Sequence, residues 1–200
     1  MQDNLLLDEL FPTIVGRAYC PFWFDIKDEY LKHINKKYVF NEKGYCFDGF
    51  YKDTKLKKLN NWITKKVNEF AALHKFKSNF KPFESWCINY VQGSYQPYHI
   101  HPGAYISTNF FLSADLEDAA TIFKSPYQDQ QNVLKLPPHL ALDEKYKNRL
   151  TDELCSYKPM EGMLYIFRSF VEHGTGEKNS NYPRIIFSYN YALDKKNKRT

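Results

Sequence analysis

The sequence predicts a mainly β protein, a sandwich or barrel with flanking α-helices. First, 18% of the residues are aromatic, including 16 Tyr and 16 Phe, and aromatic and β-branched residues favour strands. Second, short β-branched and aromatic runs bounded by Gly, Pro, Asn and Asp fill the chain after Pro82, which is typical of antiparallel strands. Third, segments with helical spacing precede them, and helices followed by strands indicate a β-sandwich or barrel backed by helices.

The first elements are one strand and two helices. Phe11–Tyr19 predicts a strand, and Ile26–Tyr38 predicts a helix with apolar residues at helical spacing. Lys55–Leu73 predicts a longer helix whose apolar stripe is expected to pack against a sheet. This stripe consists of Leu56, Leu59, Trp62, Ile63, Val67 and Phe70.

The remaining chain predicts a strand-rich core and one long insertion. Gln128–Glu161 contains Pro137-Pro138 and interrupts the strand pattern, so it is predicted to be a lid or binding loop. At 200 residues the chain forms one domain, with helical support at about 1–82, a β core at about 83–194 and a basic tail at 195–200. The predicted core strands are Ser85–Val91, Ala104–Ser113, Ala119–Lys124, Gly162–Phe167 and Arg184–Ala192.

Composition excludes several classes of protein. The net charge of +5 comes largely from Lys52–Lys66 and Lys195–Arg199, which are interpreted as a solvated helix face and a terminus, so nucleic-acid binding is not expected. The four cysteines form no C-x-x-C pair, which argues against a zinc ribbon or a disulfide framework. No apolar run approaches the roughly 20 residues needed to span a membrane. Because the N-terminal segment is acidic, it does not predict a secretory signal, and a cytoplasmic location is expected.

A histidine pair is the first candidate for chemistry. His99 and His101 are two residues apart, so on a strand both side chains would leave the same face. Two imidazoles on one face can converge on a divalent metal. A surface His-x-His without a ligand is the alternative.

A second candidate segment contains His173 and Arg184. Arg184 opens a hydrophobic strand, where an unpaired guanidinium would be costly. A bound dicarboxylate would satisfy it through a bidentate contact. Pairing with Glu117 or Asp118 is the alternative.

Together these residues resemble the 2-oxoglutarate/Fe(II)-dependent oxygenases, over roughly Ser85 to Leu193. The prolyl-hydroxylase-like branch has the motif Y-x-x-G-x-x-Y-x-x-H-x-D, where this chain reads Tyr90-Val-Gln-Gly-Ser-Tyr-Gln-Pro-Tyr-His-Ile-His101. The chain is also similar to a bacterial and phage group of 2OG-Fe(II) oxygenases. That group has an L-F-P-T element (here Leu10–Thr13), an H-x-H-P segment and a closing R-I-x-x-S-x-N, which begins here at Arg184.

The resemblance implies a double-stranded β-helix, also called a jelly roll or cupin-like fold, backed by helices. It implies an Fe(II)- and 2-oxoglutarate-dependent dioxygenase that uses O₂ to hydroxylate an unidentified small-molecule or peptidyl substrate, releasing succinate and CO₂. A phage-encoded protein acting in the host cytoplasm fits the second group, and an aromatic-rich surface is compatible with a homodimer. The implied residues are His99, His101 and His173 for the metal, Arg184 for the distal carboxylate of 2-oxoglutarate, Tyr90 in the wall of the co-substrate pocket, and Ser107 and Ser188 as further hydroxyl contacts.

The chain departs from the family pattern at two places. His101 occupies the position of the usual carboxylate ligand, and imidazole also suits iron. Near the 2-oxoglutarate tail, Phe111 and Ile186 stand where relatives have a Tyr or an R-x-S serine. Two alternatives therefore stay open: a three-His cupin-like dioxygenase that does not use 2-oxoglutarate, and a non-catalytic jelly-roll binding module.

Overall fold

The computed structural model describes residues 12–47, 49–127 and 153–198, with side chains up to residue 195. Most of the predicted lid, residues 128–152, lies outside the described residues. So do the first two residues of the L-F-P-T element and residues 199–200 of the basic tail.

Two antiparallel sheets form the core of the described part of the chain. One has six strands in the order β1-β8-β5-β10-β3-β2, and the other has four in the order β4-β9-β6-β7. This arrangement, with two helices beside the larger sheet, confirms the predicted mainly β fold with flanking helices. The helices are α1 (Trp23–Lys37) and α2 (Lys57–Leu73), and the strands are β1 (Val15–Tyr19), β2 (Tyr45–Cys46), β3 (Ser78–Tyr90), β4 (Gln96–His99), β5 (Ile106–Ser113), β6 (Thr121–Lys124), β7 (Leu154–Tyr157), β8 (Met163–Arg168), β9 (His173–Thr175) and β10 (Arg184–Lys198).

The two helices cover the outer face of the six-stranded sheet. The stripe predicted for α2 belongs to the main core cluster, together with the buried residues of α1. Fully burying one leucine, isoleucine, valine or phenylalanine side chain of this stripe stabilises the fold by about 1.5–3 kcal/mol relative to leaving it exposed. Gly16 of β1 shows how closely α2 approaches, because a Cβ there would lie 2.9 Å from the ring of Phe70. No helix in the described ranges is long and apolar enough to cross a membrane.

Alternation along β10 directs one set of side chains toward the helices and another toward the smaller sheet. Ile185, Phe187 and Tyr189 pack in the helix-covered core. Because successive side chains of a strand point to opposite faces, the residues between them face the space between the sheets. These inward positions are Arg184, Ile186, Ser188 and Asn190.

Strand β3 is longer than the sequence indicates. Its predicted start was Ser85, but it begins at Ser78 and runs through Pro82. Proline is tolerated in strands at free edges and bulges. Here β2 pairs only with Cys87 and Ile88, so it leaves Pro82 uncovered, and β10 shifts register between Asn190 and Tyr191, opposite that position.

Candidate metal and co-substrate site

Strands β4 and β9 bring the three predicted histidines together. His99 ends β4 and His173 begins β9, and the two are register partners in the four-stranded sheet. His101 lies beyond the end of β4, so the expectation that both residues of the His-x-His share one strand face was wrong. The strand instead ends at His99, the next turn comes at Pro102 and Gly103, and the ring centroids of His99 and His101 are 4.9 Å apart. The three residues each offer a ligand atom within 4.8 Å of the others.

Backbone carbonyls orient two of these rings. His99 Nδ1 lies 2.8 Å from the Pro97 carbonyl oxygen, and His173 Nδ1 lies 3.0 Å from that of Val171. A carbonyl only accepts, so Nδ1 carries the proton in both rings and Nε2 keeps the lone pair that binds metals. His101 Nε2 lies 3.3 Å from His173 Nε2. A cation shared by these two nitrogens would satisfy both.

Burial keeps the imidazoles of His101 and His173 neutral. Burial lowers the pKa of His101 to about 4, with a smaller contribution from His99. Burial also lowers the pKa of His173 to about 3; the carbonyl of Val171 opposes this shift, and His99 and His101 add to it. Both rings are therefore neutral at pH 7, the form that coordinates a metal.

A cavity of about 310 Å³ opens beside the three histidines. Its apolar wall comes from the six-stranded sheet and from the segments that follow β2 and β4, and its polar groups lie mostly on β3, β5 and β10. The apolar lining is Tyr45, Phe47, Trp86, Ile88, Ile100, Pro102 and Ile186, and the polar lining includes Glu84, Gln96, Asn109, Thr175, Ser188 and Asn190.

Arg184 is fully buried and lacks a counter-ion in the described part of the chain. None of its three guanidinium nitrogens has a hydrogen-bond partner there, and the Tyr90 ring lies 4.9 Å from the guanidinium carbon. The alternative pairings are not formed: Glu117 pairs with Lys158, and Asp118 acts on Arg184 only as a nearby charge. A buried guanidinium without partners calls for an anion.

Tyr90 separates Arg184 from the cavity. Tyr90 lines the cavity and hydrogen-bonds to Thr175, whereas Arg184 does not line it. Burial raises the pKa of Tyr90 to about 12, although Arg184 acts in the opposite direction. Since Arg184 has no exposed surface, a ligand that pairs with it requires the covering side chains, Tyr90 among them, to move.

The two predicted serines lie at different depths. Ser188 lines the cavity and donates a hydrogen bond to Asn109 Oδ1 at 3.0 Å. Ser107 does not line it; it donates to Asn190 Oδ1 at 2.8 Å and lies 2.8 Å from the Ser169 hydroxyl.

Several lining residues had no individual signal in the sequence. Asn190 belongs to the R-I-x-x-S-x-N segment and could have been inferred from its alternation with Ser188. Glu84 and Gln96 could not, because their place in the cavity depends on which strands pair.

The part of the chain that contains this site matches a known protein family. A family model described as "Putative 2OG-Fe(II) oxygenase" matches residues 84–190, just over half of the chain. The chain belongs to the 2OG-Fe(II) oxygenase family. The resemblance stated from the motifs is thereby confirmed at the level of the family.

Solved structures of other 2OG-Fe(II) oxygenases share the fold. HygX from Streptomyces hygroscopicus, with nickel, 2-oxoglutarate and hygromycin B bound, aligns with TM-score 0.60 and 11% identity over 92% of this chain and 84% of its own. A 2OG-Fe(II) oxygenase family oxidoreductase from Burkholderia pseudomallei aligns with TM-score 0.59 and 8% identity, over 89% and 84%.

A viral member has the same architecture. The collagen prolyl hydroxylase of Paramecium Bursaria Chlorella virus-1, as its 2OG complex, aligns with TM-score 0.55 and 14% identity over 90% of this chain and 96% of its own. These likenesses confirm the jelly-roll fold. No curated protein matches the chain in sequence.

The site residues of this 2OG-Fe(II) oxygenase fit both Fe(II) and 2-oxoglutarate, the cofactor and co-substrate that the family implies. Imidazole nitrogens suit Fe(II), and the convergence of the three histidines is the observation that supports a metal. The unpartnered Arg184 supports a dianionic co-substrate. Fe(II) and 2-oxoglutarate are therefore the cofactor and co-substrate of the family that this site can hold.

Proposed function

We propose that His99, His101 and His173 bind the Fe(II), that Arg184 binds the distal carboxylate of 2-oxoglutarate, and that a substrate in the neighbouring cavity is hydroxylated. The observation that carries this proposal is the convergence of the three histidine ligand atoms within 4.8 Å. His101 then takes the position of the carboxylate that the family pattern usually has.

When bound, Fe(II) and 2-oxoglutarate supply an O₂-dependent oxidation that yields succinate, CO₂ and a hydroxylated substrate. The protein's own part begins with charge. Three neutral histidines leave the Fe(II) charge of +2 uncompensated, so a 2-oxoglutarate dianion brings the centre to neutrality. Arg184 adds a positive charge in a dry setting, where an ion pair is much stronger than in water.

The cavity walls position the substrate and exclude water. Trp86 lies with its ring centroid 5.4 Å from that of His101, and Ile88 and Ile186 continue the apolar lining. A closed, apolar surrounding protects a reactive centre from side reactions. The role of Tyr90 is to cover Arg184 until the co-substrate arrives.

The substrate is a small molecule or a peptidyl side chain. Two structural neighbours represent these classes: HygX binds hygromycin B, and the viral enzyme is a collagen prolyl hydroxylase. A cavity of about 310 Å³ suits the reacting part of either. The homodimer, the cytoplasmic location and a phage origin remain predictions.

The test is an anaerobic titration with Fe(II) and then 2-oxoglutarate, monitored by the visible charge-transfer absorption of their complex. We expect the band in the wild type, its loss in His173→Ala, and a need for far more 2-oxoglutarate in Arg184→Ala. His74→Ala is the matched control, because His74 lies at the end of α2, away from the cavity.

Each other outcome identifies an alternative. Iron binding without the band would favour the three-His dioxygenase that does not use 2-oxoglutarate. Absence of iron binding in the wild type would refute both enzymes and leave the non-catalytic binding module.

A further inference from the structure

The cavity has a charge opposite to that of the whole protein. The chain carries a net charge of +5, yet no lysine or arginine is among the described residues that line the cavity. Among these described lining residues, Glu84 is the only one with a carboxylate. Arg184 lies behind Tyr90 and does not line the cavity, so the carboxylate of Glu84 is the formal charge that a substrate meets at the cavity wall.

Glu84 is held in place but has no counter-ion among the described residues. It lies opposite Asn190 in the β3–β10 register, and Asn190 Nδ2 donates to Glu84 Oε2 at 2.7 Å. Asn190 is fixed in turn by the Ser107 hydroxyl, which donates to its Oδ1. This chain of hydrogen bonds orients a carboxylate toward the cavity and leaves its other oxygen to a ligand.

An aromatic series runs from the protein surface to the metal site beside Glu84. Phe47 is 67% exposed, although it is a large apolar side chain. Its ring stacks on Tyr45 with centroids 5.8 Å apart, and it lies 6.4 Å from the ring of Trp86, which neighbours His101. A carboxylate next to aromatic faces is the combination that recognises organic cations.

Glu84 and Phe47 also stand where the cavity meets the surface. Both border a second depression of about 680 Å³, whose lining includes Lys52 and Phe83. A ligand can therefore place one group near the histidines and extend outward past Glu84 and Phe47.

We infer that the substrate carries a positively charged amino or guanidinium group, bound between the carboxylate of Glu84 and the aromatic faces of Phe47 and Trp86. The C–H bond to be oxidised then lies on the histidine side of that group. This inference rests on the proposed function for its reaction, but the binding preference can be measured without turnover.

The experiment compares matched cationic and neutral probes by calorimetry on the anaerobic protein loaded with Fe(II) and 2-oxoglutarate. For a peptidyl substrate the pair is Nα-acetyl-lysine amide and Nα-acetyl-norleucine amide. For a small molecule the pair is hexylamine and hexanol. We expect the cationic member of at least one pair to bind at least about tenfold more tightly, which corresponds to about 1.4 kcal/mol. The pair that shows the preference identifies the source of the cation.

Two pairs of variants assign the effect to these residues. Glu84→Gln should abolish the preference, whereas Glu69→Gln, which removes an exposed carboxylate on α2, should preserve it. Phe47→Ala should weaken cation binding several-fold, whereas Phe24→Ala, a similarly exposed position on α1, should not. The charge-transfer band should form in all four variants.

Two results would overturn the inference: no pair shows a preference for the cation, or the preference survives Glu84→Gln. Failure of the charge-transfer band in the wild type would count against the proposed function instead. The two failures are thus separate.

Discussion

Replacing Arg184 with Met should stabilise the protein in the absence of 2-oxoglutarate. The guanidinium is fully buried and its three nitrogens have no hydrogen-bond partner among the described residues. An unsatisfied buried donor costs about 1–3 kcal/mol, so three cost at least about 3 kcal/mol. The contact with the Tyr90 ring returns about 1–2 kcal/mol. Methionine has a similar length and no polar hydrogen, so Arg184→Met should gain about 1–2 kcal/mol.

Thermal unfolding without 2-oxoglutarate measures the stability that the variant gains, and thermal unfolding with 2-oxoglutarate measures the stabilisation by the ligand that it loses. For a chain of this size 1 kcal/mol shifts Tm by about 2–4 °C, so the ligand-free variant should melt about 2–8 °C above the wild type. With Fe(II) present under anaerobic conditions, a hundredfold excess of 2-oxoglutarate over its Kd should stabilise the wild type by about 2.7 kcal/mol. The variant should gain much less.

The control is Arg17→Met, at an exposed arginine whose guanidinium lies over the Tyr157 ring. Exposed substitutions usually change the free energy of unfolding by less than about 0.5 kcal/mol. A fall in the Tm of ligand-free Arg184→Met would refute the reasoning, because it would mean that the guanidinium has a stabilising partner.

Two further substitutions test the packing and charge of the fold. Burial alone would raise the pKa of Asp53, but hydrogen bonds from Tyr38, His33 and a lysine hold it well below its usual range. Stability from this carboxylate is therefore present above about pH 4 and lost as the pH falls below it. Asp53→Asn should lower the free energy of unfolding by about 1.5–3 kcal/mol at pH 7 and by less at pH 3, as measured by urea denaturation; an equal loss at both pH values would contradict the assignment. Gly174→Val should weaken Fe(II) binding about tenfold or more in an anaerobic titration, because a Cβ at Gly174 would lie 2.8 Å from the Gln96 carbonyl oxygen and force β4 and β9 apart; unchanged affinity would show that the spacing of these strands does not matter.

Elements with a clear pattern of apolar residues could be predicted from the sequence. The apolar stripe of Lys55–Leu73 indicated a helix, and the helix begins only two residues later than predicted. Arg184–Ala192 indicated a strand through its β-branched and aromatic residues, and all of its positions except Ala192 are buried in a sheet flanked on both faces. The pairing of β4 with β9 had no such signal, because these strands have four and three residues.

The motif residues of the candidate site could be named from the sequence, but the residues that line its cavity could not. The histidines and Arg184 stand in motifs, whereas the aromatic cavity lining depends on strand pairing and on turns. Trp86 lines the cavity, but other aromatic residues of the predicted strands and motif segments do not. Phe110 packs under the helices and Phe111 between the sheets, while Tyr95, Tyr98 and Phe170 are exposed. Tyr45 and Phe47 line it instead, since the two-residue strand β2 joins the sheet beside β3.

The most direct test of the central claim is an anomalous difference map at the iron absorption edge, from crystals grown anaerobically with Fe(II) and 2-oxoglutarate. We expect one strong peak per chain, bonded to Nε2 of His99, His101 and His173, with the distal carboxylate of 2-oxoglutarate at Arg184. A peak that is absent, or bonded to only one or two of these histidines, would contradict the claim.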